Sequence, residues 1–191
     1  MRLPAAERRQ QLLDSAVGVF ARNGYHNTSM NDVAEAAGVT KPVLYQHFES
    51  KRELFRELLG EIGDQLRDTI AKATAEAGGP RQQIELGFRA YFAFVDDHND
   101  AFRVMFGAGT RRDEEFASEA RKVEASVAEL VADLIEIPAL DPQHRLLLAN
   151  GIVGLAESSC RYWLQFEVDI DPEELASQVS QLAWAGLRGV G

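Results

Sequence analysis

Between positions 38 and 51 the chain reads GVTKPVLYQHFESK, and Lys41, Tyr45, His47 and Lys51 gather hydrogen-bond donors there with no nucleophile and base paired beside them. Such a file suits a polyanion better than a reaction. Lys41 can donate to the O6 and N7 edge of guanine, while Pro42 and Val43 offer apolar contact to a thymine methyl. Tyr45, His47 and Lys51 can donate to phosphate oxygens.

A short helix must hold these groups in register. Thr40 fits as its N-cap, which places Lys41 and Pro42 in the first turn, where the missing N–H of proline leaves nothing unsatisfied. Leu44 and Phe48 sit four apart and turn inward toward Leu13, Val33 and Ala34, so that Lys41, Pro42, Val43, Tyr45 and Gln46 face outward. Upstream, Met30, Val33, Ala34 and Ala37 keep helical spacing behind Thr28 or Ser29 as N-cap. Gly38, free to take a positive φ, makes the corner AGV between the two helices. Two short helices joined in this way form a helix-turn-helix, whose second member enters a DNA major groove. Asn31, on the first member, can bridge to an adenine or a phosphate, and Ser29 stands beside it at that helix's start. One copy makes too few contacts for tight specific binding, so two copies are expected.

Around this motif the periodicity is helical nearly everywhere, with no alternation that would mark a sheet. Leu13, Ala16, Val17 and Phe20 predict a first helix that stops near Gly24. Ser50 and Glu53 have capping-box spacing and launch a long helix through Leu54, Leu58, Ile62, Leu66 and Ile70. Five further helices follow, two of them opened by Asp141-Pro142 and Asp171-Pro172. The expected total is about nine helices in an all-α chain, divided into residues 1–50 as a helix-turn-helix domain and 51–191 as a helical effector-binding and dimerisation domain.

The overall charge of −10 at first argues against nucleic acid, but it is unevenly spread. Residues 1–55 hold seven basic and six acidic side chains, leaving 13 basic and 24 acidic for the rest. A polyanion must therefore meet the N-terminal quarter. No apolar run approaches the length of a membrane span, the charged N-terminus does not read as a signal peptide, and a lone cysteine, Cys160, makes a reducing cytoplasmic setting the default.

The run TSMNDVAEAAGVTKPVLYQHFESKRELF, preceded by FARNGYHNTSM, resembles the DNA-binding signature of the tetracycline-repressor (TetR) family of transcriptional regulators. Ala34, Ala37, Gly38, Val39, Leu44, Tyr45, His47, Phe48 and Lys51 fall at the family's characteristic positions; Pro42 stands where many members carry glycine. The resemblance implies an all-helical homodimer whose N-terminal domains bind a palindromic operator and whose C-terminal domains bind a small molecule. It implies base contacts from Lys41, Pro42 and Val43 and phosphate contacts from Thr28, Tyr45, His47 and Lys51. The function expected is that of a repressor released from its operator by a small-molecule effector.

Downstream, the aromatic series Phe88, Tyr91, Phe92, Phe102, Phe106 and Phe116 reads either as plain core or as the wall of an apolar cavity. On the second reading Ile62, Leu66, Phe88, Phe92, Phe102, Phe106, Val127 and Ile152 are the expected ligand-binding residues, with Arg89, His98, Arg103 and Glu157 as candidate orienting groups. The last two helices present Leu155, Trp163, Ala176, Ser180, Ala183 and Leu187 as an expected dimer interface. The segment GAGTRRDEE at 107–115 lacks the context of a phosphate loop and reads as a connection. No Glu-x-x-His pair for a di-metal bundle, and no base cued for Cys160, is found in the sequence, so neither enzyme, cofactor nor metal is expected.

Overall fold

The computed structural model describes residues 4–137 and 140–189. Every regular element among them is helical: α1 (Ala5–Asn27), α2 (Met30–Ala36), α3 (Lys41–Tyr45), α4 (Lys51–Ala75), α5 (Pro80–Asp97), α6 (Asn99–Phe106), α7 (Ala108–Arg112), α8 (Glu114–Leu134), α9 (Pro142–Gln165) and α10 (Pro172–Leu187). The segment expected as a bare connection thus carries the short helix α7.

The helices pack as two units, one running to Gly63 and resuming over His98–Arg121, the other comprising Asp64–Asp97 and the chain from Lys122 onward. This packing boundary differs from the expected division after residue 50. In the first unit α6 and α7 lie against α1, which adds a returning segment to the helix-turn-helix.

In that unit Leu12, Leu13, Ala16, Val19 and Phe20 bury the inner face of α1. Gly24 leaves the helical conformation and interrupts α1 where its sequence predicts a stop. It bends the backbone at φ 73°, and one further turn reaches Asn27. The rings of Tyr25, Phe55 and Phe116 meet at centroid distances of 4.6 to 5.0 Å, with Phe20 edge-on to Phe55 at 4.8 Å. Ring pairs at such offsets add to the stabilisation their burial gives, and here they join α1 to the first halves of α4 and α8.

In the second unit α10 packs along α5, and α9 contacts both. Asp141 and Asp171 cap α9 and α10 as their sequence predicts, accepting from the backbone N–H groups of His144 at 2.9 Å and Glu174 at 2.8 Å. Phe92 is fully buried and stands edge-on to Trp163, 6.5 Å between ring centroids. The Trp163 indole in turn donates to the Ile170 carbonyl at 3.0 Å, which ties the α9–α10 connection down.

Candidate nucleic-acid interface and ligand cavity

The helix-turn-helix is built by its caps. Ser29 and Asp32 form a reciprocal capping box: the Ser29 hydroxyl accepts from the Asp32 N–H at 3.2 Å, and the Asp32 carboxylate accepts from the Ser29 N–H at 2.7 Å. The Ser29 N–H and then its hydroxyl, both donating to the Asp32 carboxylate, hold that carboxyl below its ordinary value of 3.8. Gly38 takes φ 66°, a conformation other residues adopt at a penalty, and turns the chain from α2 into α3. Thr40 occupies the N-cap position of α3 without a side-chain cap bond. At the start of α4 the box is displaced by one residue: Ser50 accepts from the Glu53 N–H, but the Glu53 carboxylate reaches back to Glu49.

Leu44 and Phe48 are buried, so α3 stands on them and presents Lys41, Pro42, Tyr45 and Gln46 to solvent, with Val43 half-buried among them. Tyr45 is 44% exposed, and the Lys41 ammonium lies 5.8 Å from its ring centroid. Asn31 is exposed on α2, and Ser29 is exposed with its hydroxyl engaged in the cap. His47 is half-buried.

Two predicted phosphate ligands are placed otherwise. Thr28 is buried, and its hydroxyl donates to the Gly24 carbonyl at 2.8 Å; its side chain braces the kink. Lys51 turns inward, donating to the carbonyls of Tyr25 and Thr28, both at 2.7 Å, with its ammonium 4.4 Å from the Tyr25 ring centroid. Burial lowers its pKa, against the pull of Asp32. An ammonium has three donors, so one remains after the two carbonyls are served.

Sequence reasoning missed two arginines. Arg9 stacks on Phe48 at 4.3 Å, donates to the His47 carbonyl at 3.0 Å and pairs with Glu57, pinning the end of the α3 region to α1 and α4. Arg52 pairs with Glu115 at 2.6 Å and Asp113 at 3.3 Å over the Phe116 ring, so it holds α8 rather than offering a cation outward. Their partners lie at long sequence separation, where no local pattern reveals them.

The second unit contains an apolar cavity of about 300 Å³. Its wall is drawn from five helices, and Ile70, Phe88, Val127, Ile152 and Trp184 represent α4, α5, α8, α9 and α10 in turn. Of the expected ligand residues, Phe88, Val127 and Ile152 line it. Leu66 and Phe92 are buried in the same unit but off the cavity, and Ile62, Phe102 and Phe106 belong to the other unit. Arg89, His98, Arg103 and Glu157 do not line it either; Arg89 pairs with Glu173 across α5 and α10, and Glu157 with Arg161 along α9. The polar groups that do reach the wall are Thr74, Gln83, Tyr91, Glu136 and Arg188.

The residues expected at a dimer face are largely enclosed within the chain. Trp163, Ala176, Ser180 and Ala183 are buried within the chain, and Leu155 and Leu187 are half-buried. Ala176, Ser180 and Ala183 lie on the inner side of α10, which packs along α5, whereas Ser177, Ala185 and Gly186 of the same helix are exposed. Beyond α3, the most exposed large apolar side chains among the described residues are Leu147, Tyr162, Phe166 and Leu182, with Leu146 and Val168 less so. With Gly151, Gly154 and Ser158, the first three form a single stripe along α9 at helical spacing.

Residues 12–58, which span this helix-turn-helix, match the family model for bacterial regulatory proteins of the tetR family, and residues 80–186 match that for the tetracycline repressor-like C-terminal domain. The chain belongs to the TetR family. A TetR-family relative, the HTH-type transcriptional activator FasR of Mycolicibacterium smegmatis, is 35% identical over 99% of this chain and 87% of its own length. A TetR-like transcriptional regulator from Rhodococcus superposes with a TM-score of 0.78 at 32% identity, covering 98% of this chain and all of that one. FadR of Bacillus subtilis, solved with stearoyl-CoA, shares the fold at TM-score 0.80 and 20% identity over 91% of this chain and 96% of its own. The protein is thus a transcriptional regulator of helix-turn-helix type. None of its described helices is long and apolar enough to cross a membrane.

Proposed function

We propose that this TetR-family regulator binds a two-fold-symmetric DNA operator as a homodimer and is released from it by an apolar, acyl-chain-bearing small molecule held in the cavity. The observation that carries the DNA reading is α3 itself, a helix fastened by two buried anchors and exposing Lys41, Pro42, Tyr45 and Gln46 at its outer face. Lys41, Pro42 and Val43 address bases; Tyr45 and His47 address phosphates, with Asn31 and Ser29 at the flank.

Dimerisation joins the stripes of α9 and α10 that expose Leu147, Tyr162, Phe166 and Leu182. An isologous two-fold contact of this kind matches the symmetry of a palindrome, with recognition helices about 34 Å apart, one turn of DNA. The apolar wall of the cavity supports an acyl effector, as does the stearoyl-CoA complex of the structural neighbour. A difference of about 1 to 3 kcal/mol in effector affinity between DNA-competent and released states suffices for control. An operator that overlaps the promoter makes the bound dimer a repressor; one upstream makes it an activator, the role named for the M. smegmatis relative.

Selection of genomic fragments on the purified protein at about 150 mM salt tests the reading, because that salt suppresses non-specific phosphate binding. A palindrome should be retained, and Lys41→Ala should lose about 1 to 3 kcal/mol of discrimination at one position of each half-site. Retention of no common sequence by protein freed of bound lipid would reject it.

A further inference from the structure

Gly87 is a residue of the cavity wall whose identity the local structure does not require. It stands eighth in the 18-residue helix α5, and its φ is not positive. After proline, glycine is the residue least favoured in a helix interior. Packing does not call for it either. An added Cβ meets only the Thr74 methyl, at 3.6 Å, which is ordinary van der Waals contact. Alanine would fit there, so what glycine contributes is open space.

That space belongs to the cavity. Ile84 and Tyr91 line it one turn to either side of Gly87 on α5, and Thr74 lines it from α4, so a side chain added at position 87 points inward. The exposed residues Pro80, Glu136 and Arg188 mark the mouth, with Gln83 half-buried. Gly87 comes seven residues after Pro80, about 10 Å farther in at the helical rise. Phe88 and Tyr91, beyond it on α5, are buried. The two polar residues of the buried wall offer a ligand nothing: the Thr74 hydroxyl donates to the Ile70 carbonyl at 2.9 Å, and the Tyr91 hydroxyl is enclosed. Past its mouth the cavity therefore gives hydrocarbon contact, which suits an unbranched saturated chain whose polar head stays near Gln83, Glu136 and Arg188. A methylene takes about the room of a water molecule, about 30 Å³, so about ten of them fill a cavity of about 300 Å³.

We propose that Gly87 is the specificity-determining residue that sets the length of acyl chain the regulator answers to. Its missing side chain leaves room for the inner carbons of a saturated chain of about twelve, and each carbon placed at position 87 displaces about one carbon of the ligand. This rests on the reading of the cavity as the effector site.

The test is equilibrium binding of straight-chain saturated fatty acids, from octanoic to hexadecanoic acid and each below its micelle concentration, to the full-length protein. Wild-type affinity should rise about fourfold per carbon, the gain from burying one methylene, and stop rising near about twelve carbons. Gly87→Ala should move that break about one carbon shorter and Gly87→Val about three. Without ligand, Gly87→Ala should melt no lower than the wild type. A break at the same length in all three proteins overturns the inference while leaving the cavity reading intact, as does a wild-type affinity that climbs through hexadecanoic acid. A lower melting temperature for Gly87→Ala would show that packing holds the glycine, and overturns it as well. Binding of none of the acids overturns the cavity reading and this inference with it.

Discussion

Lys51→Met separates two roles that one side chain can fill. Methionine keeps much of the apolar stem but removes the ammonium that donates to the carbonyls of Tyr25 and Thr28, both at 2.7 Å. Hydrogen bonds to a charged group contribute about 1.5 to 3 kcal/mol net. Because Lys51 is only half-buried, the two together are taken at about 2 kcal/mol. For a chain of this size that lowers the melting temperature by about 4 to 8 °C. Operator affinity should fall uniformly across sequences as the start of α4 loosens, while its salt dependence stays as in the wild type. Loss of a direct phosphate contact would instead reduce the slope of log affinity against log salt by about 0.9 per protomer, about 1.8 for a dimer. The assays are a thermal melt and a salt titration of operator binding. Unchanged melting with a slope lowered by about 1.8 would refute the strut and make Lys51 purely a DNA ligand.

Three further perturbations address other parts of the molecule. Leu182→Glu places a charge on an exposed apolar side chain of α10 and should convert the proposed dimer to monomer, read by sedimentation, with the helical content retained. Asp32→Ala removes the reciprocal half of the α2 capping box, the carboxylate that accepts from the Ser29 N–H, and leaves Ser29 as N-cap. Since the folded-state pKa of Asp32 lies below 3.8, the cap's contribution is complete above that value and disappears as pH falls through the lower one. The melting difference between wild type and variant should therefore be present at about pH 6 and close toward pH 3. Gly87→Leu fills the cavity from α5, where an added Cβ meets only the Thr74 methyl at 3.6 Å. It should raise helix stability by about 0.8 to 1 kcal/mol and abolish effector release of DNA in a mobility-shift assay, leaving operator affinity unchanged.

The helix-turn-helix was legible because its signals are local. Apolar spacing, the Ser29 cap, the glycine corner and Pro42 in the first turn all lie within about 20 residues and agree with one another. The inward turn of Lys51 and the burial of Thr28 were not legible, because their partners are backbone carbonyls, which no side-chain pattern advertises. The inward side of α10 was not legible for a related reason. A row of Ala176, Ser180 and Ala183 permits close approach equally to another helix of the same chain or to a second copy, and here α5 takes the place. Phe102 and Phe106 looked like cavity residues on periodicity alone. Their helix instead returns to α1, a long-range arrangement that lies outside any sequence window. The apolar character of the C-terminal unit was thus readable, while the choice of which apolar residues enclose space depended on the tertiary packing of five helices.

Cys160 is the lone cysteine of the chain, is fully buried, and has its thiol pushed up to about 12 by its surroundings. Thiol reagents act on the thiolate, so at neutral pH this sulfur is silent toward them. A cysteine introduced in place of the exposed Gln46 would then be the single reactive position in each copy, with the native background left intact. In the proposed dimer, spin labels attached there would sit on the two recognition helices, and their separation could be read in solution with and without ligand.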